Sequence, residues 1–123
     1  MENQTDTALN SIKQLYKDMY KQHAEATNSN IKESKLKSGL MLLYFWALAH
    51  DNEIIKSRLK EEAKAIFKTV GDFFIQVEID YDNLLTERPD IIKLLNDMDE
   101  NDYNVLISFI QTDYLTNEKS LSN

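Results

Sequence analysis

The chain has 123 residues, 42% of them hydrophobic, with 21 acidic side chains against 14 basic and a formal net charge of -7. That length buries one compact core and would leave two separate ones marginal, so a single domain over residues 1–123 with short flexible termini is expected. The negative charge disfavours nonspecific attraction to phosphate backbones, and the lack of cysteine removes disulfides, thiolate nucleophiles and cysteine-based metal centres.

One proline and two glycines leave few breaks, which suits long helices joined by short polar links. The expected fold is all-α, a compact bundle of four or five helices with a long third helix at its centre. The opening MENQTDTAL has neither a basic end nor an apolar secretory segment, so a cytoplasmic location is expected.

The first helix is expected over residues 7–27, where Leu9, Ile12, Tyr16, Met19, Tyr20 and His23 recur every three to four residues and line one face. Asn28, Ser29 and Asn30 read as a turn. A second helix over 31–50 opens polar and basic and then carries the apolar run GLMLLYFWALA. That run is about half the length of a bilayer-spanning helix, so it points to a protein core and not to a membrane. Leu36, Leu40, Leu43, Tyr44, Ala47 and Leu48 form its broad inner surface. Phe45 and Trp46 extend the apolar character around it, so the helix is either central in the bundle or partly covered by an oligomeric partner. Asp51 and Asn52 mark its exit.

Leu59, Ala63, Ile66, Val70, Phe73 and Val77 alternate spacings of four and three, continued by Tyr81 and Leu84, which predicts one long helix over 53–85. Gly71 falls inside this stripe and is read as a point of close helix packing. Pro89 marks the strongest internal boundary, because it lacks an amide donor and fits the first turn of a new helix over 88–96. A last helix is expected from Asp99 or Glu100 to Leu115, with Asp99 and Asp102 as capping groups and Val105, Leu106, Phe109, Ile110 and Tyr114 inside. The final TNEKSLSN reads as a frayed tail.

Charge is distributed unevenly: residues 31–71 hold eight basic and five acidic side chains, and residues 72–123 hold three basic and twelve acidic. A weakly basic middle thus adjoins a strongly acidic end. Glu78, Asp80 and Asp82 are the densest acidic cluster, but on a helix Asp80 lies nearly opposite the other two, so they do not converge on a metal ion. Asp97, Asp99 and Asn101 begin like a calcium loop, yet Asp102 stands where glycine is needed and Ser108 where a bidentate glutamate is needed. His23 and His50 lie near helix ends, where a protonated ring favours the dipole, and neither has a nucleophile or a second histidine in a recognisable pattern. Serines lack a nucleophile-elbow context and the glycines belong to no phosphate loop. No catalytic, cofactor or metal site is therefore expected, and the protein is read as non-enzymatic.

The expected function is stoichiometric recognition by a protein-interaction module, a small inhibitor or regulatory subunit. It would dock onto a basic protein through a surface formed by Glu78, Asp80, Asp82, Tyr81, Tyr103 and Tyr114, which mixes carboxylates with rigid aromatic anchors. A second possibility is a structural homo-oligomer assembled through Phe45, Trp46 and Phe74. A third is nucleic-acid binding through the stripe Lys56, Lys60, Lys64 and Lys68, spaced to share one helix face.

Overall fold

The computed structural model describes the backbone of residues 4–28, 30–65 and 71–121 and the side chains of 7–28, 30–65 and 72–115. Among the described residues the chain is all-helical, in the order α1 (Gln4–Thr27), α2 (Ile31–Ala49), α3 (Glu53–Lys64), α4 (Gly71–Glu87), α5 (Pro89–Asp97) and α6 (Glu100–Leu121). Six helices replace the four or five expected, because the long third helix is divided.

α2 organises the packing and contacts every other helix. Its sequence requires this: from Leu42 to Ala47 six consecutive side chains are buried, and consecutive residues point all round a helix. The alternative of a central helix therefore holds for α2, and the spine is the second helix and not the third. α1 and α6 cover one flank, α3 another, and α4 and α5 the remainder. The core cluster draws on all six helices, including Ile12, Leu42, Leu59, Val77, Leu95 and Leu106. Gly39 sets the approach of α6 to α2, since a Cβ there would stand 2.8 Å from Ile110 Cγ2. At that distance even an alanine would force the two helices or the Ile110 side chain to shift.

The connections follow local chemistry. Asn30 caps α2, its side-chain oxygen accepting from the amides of Lys32 at 2.8 Å and Glu33 at 3.3 Å. Asn28 and Asp51 adopt left-handed backbone with φ of 52° and 51°, a conformation that asparagine and aspartate tolerate better than most residues. Ser29, the middle of the expected turn, lies outside the described residues. Asn52 caps α3 by accepting from Ile55 N at 3.0 Å. Pro89 occupies the first turn of α5 as expected, with Arg88 at the cap position.

The expected helix over 53–85 is corrected at its middle. α3 closes at Lys64, where Ala65 N donates to Glu62 O at 3.3 Å, and α4 begins at Gly71. Thr69, Val70 and Gly71 are weak helix formers in succession, a local signal that the continuous apolar stripe conceals. Ile66 and Val70 of that stripe lie outside the described residues. At the other end α6 runs on to Leu121 past the expected stop at Leu115, and the sequence there has no glycine or proline to end it.

Asp99 and Asp102 form a reciprocal cap at the start of α6. Asp102 N donates to Asp99 Oδ1 at 2.8 Å, and Asp99 N donates to Asp102 Oδ2 at 3.3 Å. Asp99→Ala removes an acceptor from the first turn and is expected to cost about 1 kcal/mol. Thermal unfolding followed by circular dichroism should place its midpoint roughly 3–6 °C below that of the parent chain.

Candidate functional site

α4 turns Phe74, Val77, Tyr81 and Leu84 inward, toward α2 and α5, with Phe73 also packed against the core, and its opposite face is exposed. Tyr44 of α2 lies against Phe74 with ring centroids 4.7 Å apart, and Phe45 against Tyr81 at 5.9 Å. The outer face carries Ile75 and Ile79, 60% and 48% exposed, one helical turn apart. Leu85, 49% exposed, lies along one flank. Asp72 and Asp82 share this outer arc, with Glu78 beside it. Apolar side chains and carboxylates thus alternate along one exposed ridge, and no described element covers it.

The six residues expected to form one acidic aromatic surface do not share a face. Glu78 and Asp82 lie on the exposed side of α4, and the Glu78 Oε2 accepts a hydrogen bond from the Tyr44 hydroxyl at 3.0 Å, which ties that carboxylate to the core. Asp80 lies on the opposite flank, half-buried and bonded by Gln76 Nε2 at 3.0 Å. Tyr81 is half-buried against Phe45. Tyr103 is 2% exposed and stacks on Trp46 at 4.4 Å, so it belongs to the interior. Tyr114 packs at the other end of α2, where Lys32 Nζ stands 4.9 Å over its ring. Twelve residues of α2 separate Lys32 from Tyr44, which is roughly 18 Å along the axis. The physical reason is that α2 draws aromatic rings inward on all sides, leaving the carboxylates behind.

Phe45, Trp46 and Phe74, the expected oligomer surface, are all buried within the monomer. Trp46 Nε1 donates to Met98 O at 3.0 Å, and its ring lies between those of Tyr103 and His50, the latter 4.2 Å away. His50 in turn bonds Leu95 O through Nε2 at 2.9 Å, fixing the end of α2 on α5.

The lysine stripe of α3 is largely engaged locally. Lys56 pairs with Glu53 at 3.1 Å and Lys64 with Glu61 at 2.9 Å, while Lys60 lies 5.8 Å over the Tyr44 ring. Lys68 lies outside the described residues.

Sequence reasoning missed a buried polar cluster between α1, α2 and α6. Lys35 has no solvent exposure, and its Nζ lies 3.0 Å from Asp113 Oδ2 and donates to Asp113 O at 3.0 Å. The Tyr16 hydroxyl donates to the same carboxylate at 3.2 Å, and the Lys35 ammonium stands 5.0 Å over the Tyr20 ring. His23 Nδ1 and the buried Ser34 Oγ lie 2.8 Å apart one turn away. The available signal was positional: Lys35 is one turn from Gly39 and two from Leu42 on the inner side of α2, in a stretch that otherwise reads as a polar helix start.

It also missed a cavity of about 280 Å³ between α2, α3 and α6. Leu40 and Leu43 form one wall, Leu59 a second and Ile107 and Ile110 a third, with Arg58, Glu62 and Tyr103 at the polar end. Burial pushes the Tyr103 hydroxyl up to about 12, with the Glu62 carboxylate adding to the effect and Arg58 opposing it. The hydroxyl is therefore a protonated donor at neutral pH.

Comparison with family models, with curated proteins and with solved structures gives no match to this chain. Among the described residues no helix is long and apolar enough to cross a membrane, and no group of three or more histidines or carboxylates is arranged to hold a metal ion.

Two outcomes follow from this geometry. Asp113→Ala leaves the Lys35 charge buried without its carboxylate, and urea denaturation is expected to read a loss of about 3 kcal/mol or more. A Lys35→Met, Asp113→Leu double variant should recover most of it, because both charges are removed together. Separately, burial raises Tyr16, Tyr20, Tyr44, Tyr81 and Tyr103 above the ordinary tyrosine value of 10.0. The unfolded chain then loses these protons first, so their contribution to stability is complete below pH 10 and declines as pH rises through the folded values. Denaturation midpoints measured from pH 9 to pH 12 should fall from about pH 10 upward, and Tyr103→Phe should flatten the slope between about 10 and 12.

Proposed function

We propose that this protein is a non-enzymatic, cytoplasmic interaction module, a small inhibitor or regulatory subunit, that docks through the outer face of α4 onto a basic segment of another protein. The observation that carries this reading is the pairing of exposed Ile75 and Ile79 with the free acidic arc of Asp72 and Asp82 on one helix face. Isolated exposed apolar residues need no explanation, but Ile75 and Ile79 are neighbours one turn apart on the same exposed face, with Leu85 exposed on the flank. Flanking carboxylates keep such a strip soluble and select for a partner rich in lysine or arginine. The complement is an amphipathic basic segment whose apolar side chains seat on the isoleucines while its cations meet the rim.

This reading keeps the acidic end as the recognition element and changes its membership. Asp82 and Asp72 are the charges available for contact, the isoleucines replace the tyrosines as anchors, and Glu78 serves mainly to hold Tyr44. The lysine stripe supports nucleic-acid binding less well, since Lys56 and Lys64 already have carboxylate partners.

The test uses affinity capture with three baits at moderate salt: the parent chain, an Ile79→Ser, Asp82→Lys variant, and a Lys64→Glu control on α3. Circular dichroism checks that each bait is folded. A basic protein retained by the parent and the control but reduced at least tenfold on the α4 variant is the expected result. Indistinguishable capture by all three baits overturns the assignment to α4. So does light scattering that finds a dimer of the parent chain dispersed by the α4 variant, because the strip would then be occupied by a second copy.

A further inference from the structure

We infer that the cavity between α2, α3 and α6 is a binding site for a medium-chain aliphatic carboxylate. Leucine and isoleucine side chains make up most of its lining; Arg58, Glu62 and Tyr103 lie near one another on it, and Gln111 is the remaining polar residue. This is the usual division in small-molecule sites, where an apolar body is buried and a few polar groups fix orientation.

Two polar groups on the lining have no hydrogen-bond or ion-pair partner among the described residues. Tyr103 is 2% exposed and lines the cavity, yet its hydroxyl makes no hydrogen bond to another described residue. Buried tyrosine hydroxyls ordinarily have one. Among the described residues no wholly enclosed polar side-chain atom lacks a partner, so this hydroxyl is not sealed in the interior, and the cavity that Tyr103 lines is where it opens. Arg58 is the second. Lys35, Lys56, Lys64, Lys93 and Arg88 each have a carboxylate within 4 Å, and Arg58 has none among the described residues. Its planar fork of donors fits a carboxylate in two parallel hydrogen bonds. Arg58 and Tyr103 both line the cavity, close enough for the guanidinium charge to act on the Tyr103 hydroxyl.

Size and shape fix the rest of the ligand. An apolar cavity of about 150 Å³ admits benzene, so about 280 Å³ admits a chain of roughly eight carbons. Leu36, Ile110 and Gln111, at the far end from Arg58, also border a second depression of about 330 Å³ that continues toward Leu115. Two depressions in line favour an extended chain over a compact ring. Glu62, one turn beyond Arg58 on α3, opposes a bound anion. Its neutralisation therefore has the opposite sign to loss of Arg58, which separates charge recognition from simple filling of space. The site lies on a different face from the outer arc of α4, so it stands or falls independently of the docking surface.

The experiment titrates the parent chain with octanoate and, separately, with octanol, following amide signals by two-dimensional nuclear magnetic resonance. Octanoate is expected to saturate shifts at Leu40, Leu43, Ile107 and Ile110, with affinity at least tenfold above octanol. Arg58→Gln should weaken octanoate about tenfold and leave octanol unchanged. Glu62→Gln should tighten octanoate several-fold, and Lys93→Gln, remote on α5, should change neither. Ile107→Phe, checked for a cooperative thermal transition, should displace both ligands by filling the cavity. No saturable shift at the cavity residues overturns the site. Equal octanoate and octanol affinities, with no response to Arg58→Gln, overturn the carboxylate assignment.

Discussion

The fold depends on one constraint: α2 is apolar on nearly every side and must be covered on every side. A helix that presents Leu42, Leu43, Tyr44, Phe45, Trp46 and Ala47 in succession has no solvent face to spare. At about 25 cal/mol per Å² of apolar surface removed from water, leaving even one flank open would cost several kcal/mol. Five helices are packed around it, from the nine residues of α5 to the 24 of α1, and each supplies what its flank needs. α6 packs closely against Gly39; α4 brings Phe74 to Tyr44; the end of α5 receives His50 and the indole of Trp46.

The same constraint explains why charged groups enter the interior. The N-terminal half of α2 is less apolar than the C-terminal half, so its inner positions are Ser34, Lys35 and Ser38. Asp113, Tyr16 and the Tyr20 ring meet the Lys35 ammonium, so that a buried charge has a carboxylate, a carbonyl and an aromatic face around it. Such a pair is weak evidence for added stability, because the desolvation of two ions offsets their attraction. Its effect is on alignment. A slip of α6 by one turn moves Asp113 about 5 Å along the axis and strands the lysine, so α1, α2 and α6 have one register that satisfies it.

Much of this was legible in the residues. The inner face of α1, the ends of α2, the proline start of α5 and the cap made by Asp99 and Asp102 follow from period and local chemistry, and each acts over a few residues. What failed was non-local. The stripe from Leu59 to Val77 kept its phase across Gly71, and phase alone carried the long third helix even though Thr69, Val70 and Gly71 argue against one. Tyr81, Tyr103 and Tyr114 read as surface anchors because they stand among carboxylates in the sequence, but a helix buried all round consumes rings that a two-sided bundle would leave outside. Ile75 and Ile79 did carry a signal, since they fall off the inward stripe while sharing a face with each other. The cavity carried none, because Arg58, Tyr103 and Ile110 meet only through the packing of three helices.

Both proposed sites rest on a distinction between charges that the fold has used and charges it has left free. Lys35 and Asp113 hold α2 to α6, Glu78 holds Tyr44, Asp99 and Asp102 start α6, and Lys56 and Lys64 pair with Glu53 and Glu61. A composition count treats all of these alike, and it was this count that spread the recognition surface over the whole acidic half. Among the charges the fold leaves unengaged, two sets lie beside exposed or cavity-lining apolar side chains, and they have opposite character. One is convex, acidic and apolar, on the outer arc of α4, and suits a macromolecule. The other is concave and hydrocarbon-lined with a guanidinium and a hydroxyl at one end, and suits a small anion. α2 separates them, with Tyr44 facing the first set and Leu40 and Leu43 facing the second, so the helix that most needs burying also forms the wall between the two surfaces on which the chain has chemistry to offer.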